Sequence, residues 1–170
     1  MRALFVLLLA ASAVPAGAQL EPPPIQRYLE NLKLGDRLQD VKIVYPPVRD
    51  WSTSREPSWG GERITIQRGQ AKYLPDAVES LTLGFRRGRL VRLEAVYSRD
   101  FSKKKPLERV VGDLSLQYGE PRRQDHTYFW WDSSTAMVAS VTAQPAPSGP
   151  AVELRTTLAI MDRARFDPMR

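Results

Sequence analysis

From Val78 to Tyr97 the chain reads VESLTLGFRRGRLVRLEAVY. Leu81, Leu83 and Phe85 alternate with Ser80, Thr82 and Gly84, and after Arg87 and Gly88 the residues Val91, Leu93, Ala95 and Tyr97 alternate with Arg92, Glu94 and Val96. A period of two sends successive side chains to opposite faces of a strand, so the pattern predicts two antiparallel strands joined by a two-residue turn at Arg87–Gly88. Each strand then presents one apolar face that has to be covered.

The same alternation recurs. Glu62 to Gln67 alternates around Ile64 and Ile66. Thr127 to Trp131 and Thr135 to Thr142 flank Asp132, Ser133 and Ser134 as a second hairpin, with Phe129 and Trp131 on one face and Tyr128 and Trp130 on the other. Val152 to Asp162 makes a long last strand. Helical spacing is confined to three places. Ile25, Tyr28, Leu29 and Leu32 predict a short helix ending near Gly35, and Asp36 is placed to cap a second, carrying Leu38, Val41 and Val44 or Tyr45 and stopped by Pro46 and Pro47. Leu107, Val110, Val111, Leu114 and Tyr118 predict a third, capped by Ser102 or a neighbour, with Pro106 in its first turn and Gly119 and Pro121 at its end. Arg49 to Gly61 and the proline-rich Gln144 to Pro150 read as loops.

These elements predict an α+β domain: an antiparallel sheet of about six strands with helices packed on one face. The stops VYPP (Val44 to Pro47) and QYGEP (Gln117 to Pro121) fall at matching places and suggest two divergent α-β-β-β repeats, residues 25–97 and 98–170. The uncovered sheet face needs polar residues or a partner.

Residues 1–18, MRALFVLLLAASAVPAGA, have a cation at Arg2, an apolar run from Ala3 to Val14, and small residues at Ala16 and Ala18, the pattern of a secretory signal peptide. The apolar run falls short of the ~20 residues that cross a bilayer, and no later stretch approaches that length, so no transmembrane segment is expected after signal removal. Residues 19–24 form a proline-rich leader, and 25–170 a single domain. The chain has no cysteine, which excludes disulfides, thiolate catalysis, cysteine-held metal and lipid attachment through a cysteine. A periplasmic location is expected first and a secreted one second.

His126 is the one histidine, so no site can use two imidazoles. No G-x-S-x-G elbow and no glycine-rich phosphate loop occurs. Asp125, His126 and Asp132 have no recognisable ligand spacing, and no metal or cofactor is expected. A carboxylate pair for glycoside cleavage stays open, since any two acids can meet in space.

Two sets of residues are candidates for binding. Trp51 and Trp59 lie in the Arg49–Gly61 loop, and Tyr128 and Trp130 lie on a strand where adjacent tryptophans must point to opposite faces; a large amphipathic ring facing outward is a strong anchor for a protein partner. Arg86, Arg87 and Arg89, with Lys103, Lys104 and Lys105, are the densest cationic patches of a chain with net charge +6, and could hold lipopolysaccharide, another anionic lipid or an acidic polymer. Nucleic acid is not expected as a partner of an exported chain.

The order of helices and three-stranded meander in an exported chain, with G-D-x-x-x-D-V at Gly35 to Val41 and Y-G-x-P at Tyr118 to Pro121, resembles small envelope proteins of the SmpA/OmlA type. The doubled arrangement is similar to the tandem-repeat β-lactamase inhibitory proteins. The resemblance implies a non-catalytic protein that binds another protein through an exposed sheet face and its loops. The chain lacks the lipidated cysteine of the first group and the disulfides of the second, so neither specific activity is carried over. The reading expected first is an exported non-catalytic binder of an envelope or secreted protein. A binder of an anionic envelope component is the alternative, and an uncharacterised hydrolase the third.

Overall fold

The long alternating segments all join one antiparallel sheet. The structure, a computed structural model, describes residues 23–57, 60–145 and 151–165. The signal peptide, residues 19–22 of the leader, Trp59 and residues 146–150 of the proline-rich loop lie outside the described residues.

In chain order the elements are β1 (Tyr28–Leu29), β2 (Leu32–Lys33), α1 (Leu38–Val44), β3 (Ser52–Glu56), β4 (Gly61–Gln67), β5 (Val78–Arg86), β6 (Arg89–Tyr97), α2 (Arg99–Lys104), α3 (Leu107–Tyr118), β7 (Arg122–Gln124), β8 (Thr127–Trp131), β9 (Thr135–Pro145) and β10 (Val152–Asp162). The main sheet has eight strands in the order β3-β4-β5-β6-β10-β9-β8-β7, so two four-stranded meanders meet where β6 pairs with β10. The sheet is thus two strands wider than the six expected, with β3 and β7 added outside the alternating segments. Both additions are edge strands. STSRE in β3 and RRQ in β7 bury almost nothing, so neither carries the apolar alternation by which a strand is recognised.

The first expected helix is instead a two-residue hairpin. Tyr28 pairs with Lys33 and Leu29 with Leu32, and Glu30 and Asn31 turn the chain with φ of 49° and 61°. Positive φ at both central residues is the turn that matches strand twist, and asparagine tolerates it. Leu29 and Leu32 are buried from this hairpin as they would have been from a helix, which is why spacing alone misleads. Asp36 does not cap α1. Its carboxylate accepts the Lys33 N–H at 2.8 Å, while Asp40 reaches back to the Arg37 N–H at 2.8 Å from the first turn of the helix. Nor does Ser102 cap α3: it lies inside α2, whose own cap is Ser98, its hydroxyl accepting from the Phe101 N–H at 3.4 Å, and the start of α3 has no side-chain cap. Pro106 stands just before α3, and Gly119, at φ 82°, ends it.

One face of the sheet carries the core. Ile64, Ile66, Leu81, Leu83, Leu93, Met137 and Ile160 interlock with Leu29 and Leu32 of the β1–β2 hairpin, Val41 of α1, and Leu107 and Tyr118 of α3, and Phe101 of α2 packs against the same cluster. Each fully buried aliphatic side chain of this kind contributes about 1.5–3 kcal/mol over its exposed state. The helices and the small hairpin thus form a single layer on that face. Beyond the end of β6, α2 takes over the edge of β10: Ser102 Oγ accepts the Thr156 N–H at 3.0 Å, and the Thr156 hydroxyl donates to the Lys105 carbonyl at 3.2 Å.

Candidate functional site: the open face of the sheet

Residues of the opposite parity project from the other side. The register puts Arg92 opposite Met161, Glu94 opposite Ala159 and Val96 opposite Thr157; Val138 lies opposite both Ala159 and Phe129. Val96 and Ala159 are buried, yet neither belongs to the core cluster. They form the floor of a second face that carries none of the helices among the described residues.

The Arg92–Glu94 ion pair, Nη2 to Oε2 at 2.5 Å, divides this face. On the β9–β10 side lies a depression of about 340 Å³ where Phe129, Val138 and Met161 supply apolar walls and Ser140, Thr142 and Thr157 supply hydroxyls. Thr142 and Thr157 are joined across the strands, Oγ1 to Oγ1 at 2.9 Å. On the β4–β5 side lies a depression of about 230 Å³ bounded by Arg63, Thr65, Thr82 and Gly84, and both depressions share Arg92 and Glu94. The face thus sets an apolar half beside a polar, charged half. Trp131, 51% exposed, stands on this face next to the apolar half.

The residues singled out from the sequence are scattered. Trp130 is buried; its indole donates to the Gly119 carbonyl at 2.9 Å and its ring joins the core cluster. It therefore cannot meet a partner, and the exposed ring of the pair is that of Trp131, because α3 packs on the side to which Trp130 points. Tyr128 shares the helix side, half-buried, with the Arg123 guanidinium 5.6 Å from its ring centroid. Trp51 packs partly against the core, donates to the Gln70 carbonyl at 3.3 Å, and lines a groove of about 480 Å³ with Lys42, Arg49 and Asp50 beside the β3 edge.

The basic residues do not converge either. Arg86, Arg87 and Arg89 surround the β5–β6 turn, whereas Lys103, Lys104 and Lys105 follow the far end of β6, a separation of roughly 25 Å along nine residues of strand. Arg86 donates to the Arg165 carbonyl at 2.7 Å and Arg89 to the Gly35 carbonyl at 3.1 Å, so two of the three arginines hold backbone in place. Lys105 pairs with Asp113 at 3.3 Å. His126 is exposed in the β7–β8 turn, and among the described residues no group of three or more His, Asp or Glu side chains could hold a metal. No helix among the described residues is long and apolar enough to cross a membrane.

Glu94, Phe129, Val138 and Met161 line the open face but are not among the candidate residues singled out from the sequence. Each stands in a strand whose alternation is plain, so its face could be read; which of the two faces the helices would leave bare could not. No family model, curated protein or solved structure matches the chain.

Proposed function

We propose that the chain is an exported, non-catalytic binding protein of the periplasm or external medium, which takes another protein on the open face of its sheet. The observation that supports this most is the arrangement of Arg92 and Glu94 between an apolar bed (Phe129, Val138, Met161) and a polar one (Arg63, Thr65, Thr82), on the side of the sheet opposite every helix described. The two meanders, each preceded by a helix and meeting at β6 and β10, support a divergent tandem repeat of α1 with β3–β6 and α3 with β7–β10. That order also supports kinship with the SmpA/OmlA-type proteins and the tandem-repeat inhibitors.

A photocrosslinking residue placed at Val138 or Met161 of the full chain, in the cells that export it, tests the reading. Leu116, 91% exposed on α3, is the control position. The expected result is a defined protein adduct from the open face and none from Leu116. Identical adducts from both sides, or none from either, would overturn it. Retention on an anionic lipid or polymer is the second reading, supported by Lys103 and Lys104, exposed in the last turn of α2. Steep weakening of retention by salt would mark that mode.

A further inference from the structure

At the α2 end of the same face, β10 presents Glu153, Arg155 and Thr157 with one parity, and Arg155 lies directly across from Thr142. The Arg155 side chain is only 8% exposed. Its Nη2 lies 2.8 Å from Glu153 Oε2, and Arg99 Nη2, reaching over from α2, lies 3.0 Å from Glu153 Oε1. Two guanidinium groups share one carboxylate, which leaves one net positive charge. Moreover, Nε and Nη1 of Arg155 have no hydrogen-bond partner among the described residues, and Glu153 Oε2, close as it is, lies outside hydrogen-bond geometry. A buried guanidinium normally has its donors paired, because desolvating a charge without replacing its hydration is costly.

We propose that Arg155, with Arg99, is a receptor for a single carboxylate. The inference rests on the docking reading and sharpens it: the carboxylate is that of an acidic side chain of the protein that lies on the open face, entering at the end where the hydroxyls of Thr142 and Thr157 face it. The charge count selects the ligand. One carboxylate neutralises the triad, whereas a phosphate, carrying about −1.5 to −2 at neutral pH, would overshoot it. The planar guanidinium fork also suits a planar acceptor, which an ammonium would not. Arg99 is the half-exposed member of the triad, the one able to swing outward and admit the group.

The test is a titration of the full chain with acetate, read at the Arg155 Nε–H by ¹H–¹⁵N NMR, with sodium chloride at matched ionic strength and inorganic phosphate as parallel arms. The expected result is a saturable shift with acetate that chloride does not reproduce, together with a thermal stabilisation by acetate that Arg155→Gln and Arg155→Lys both abolish. Should the Arg155 variants fail to fold, Arg99→Gln, a change at a half-exposed position, is expected to weaken the acetate response by about tenfold and to leave the melting temperature without acetate unchanged. No saturable shift, equal shifts with chloride, or a stronger response to phosphate would each overturn the proposal. The two readings fail separately. The acetate response requires no protein partner, so adducts at Val138 without it would remove the carboxylate receptor alone, and the response without adducts would remove the docking face.

Discussion

Tyr97 donates its phenol hydrogen to Glu30 Oε1 at 2.8 Å, joining the end of β6 to the turn of the β1–β2 hairpin. The Tyr45 phenol donates to the backbone carbonyl of the same Glu30, so one residue in a left-handed conformation receives a buried tyrosine from the sheet and another from the residue that ends α1. Replacing Tyr97 by Phe keeps the ring and its stack on Phe101, centroids 4.4 Å apart, but removes the donor from a half-buried carboxylate. The expected loss is about 1–2 kcal/mol, read as a lower urea midpoint at unchanged slope.

High pH should undo the same anchorage. Burial first, and the Glu30 charge second, push the Tyr45 phenol up to about 12, and the same causes hold Tyr97 far above its ordinary range. In the unfolded chain both phenols ionise near the ordinary value of about 10. A raised pKa means that the unfolded state loses its proton first, so this stability is complete below about pH 10 and is lost as pH rises toward 12. Tyrosinate absorbance should therefore show a late phase, from Tyr45 and Tyr97, that develops only as the structure melts. The Tyr97→Phe variant should show a shallower alkaline loss.

Acid acts through Asp132. Its carboxylate accepts the N–H groups of Ile25 at 2.8 Å, Ser134 at 2.6 Å and Thr135 at 2.7 Å, and the Ser134 hydroxyl at 3.0 Å. Burial alone would raise its pKa, but these four donors outweigh it and hold the group below the usual carboxylate range. A depressed pKa stabilises the fold above the unfolded value and loses that contribution as pH falls through the folded one. Asp132→Asn should flatten the acid limb of stability against pH and speed hydrogen exchange at the Ile25 amide. An unaltered acid limb would show that the carboxylate is not what ties Ile25 to the β8–β9 turn.

The legibility of this chain followed burial. β5, β8 and β10 span the residues expected of them, because one side of each is packed and the alternation records it. β3 and β7 escaped notice because Ser52 to Glu56 and Arg122 to Gln124 pair through backbone groups while their side chains stay in solvent, and backbone pairing leaves no mark on composition. Ile25, Leu29 and Leu32 suit a helix and a hairpin equally; the turn at Glu30 and Asn31, stabilised by Tyr45 and Tyr97 from far along the chain, settles the matter. The open face was hidden for a related reason. Alternation sorts Phe129 and Trp131 from Tyr128 and Trp130, but only the docking of α3 decides which pair is covered.

Trp130 and Trp131 offer the sharpest contrast between neighbours. Trp130, 3% exposed, fills the core and hydrogen-bonds the carbonyl of the glycine that ends α3. Trp130→Ala should cost about 3–5 kcal/mol and could unfold the domain outright, whereas Trp130→Phe keeps most of the volume and should show a smaller loss. Trp131→Ala should change stability by no more than about 0.5 kcal/mol. Urea denaturation of the three variants checks the ranking. If the open face binds as proposed, Trp131→Ala should also reduce the yield of the Val138 adduct.

The β5–β6 turn can be improved without touching either face. Arg87 and Gly88 have φ of 50° and 71°, and both residues must adopt the left-handed region for the two strands to meet with their natural twist. Glycine does so freely, while an arginine there is strained. Asn-Gly is the preferred pair for such a turn, so Arg87→Asn should raise stability by roughly 0.5–1 kcal/mol, seen as a higher thermal midpoint. The substitution also removes one exposed cation from the turn. If retention on anionic vesicles falls with it, the arginine cluster is a contact site as well as a structural one; if retention is unchanged while the midpoint rises, Arg87 contributes only strain.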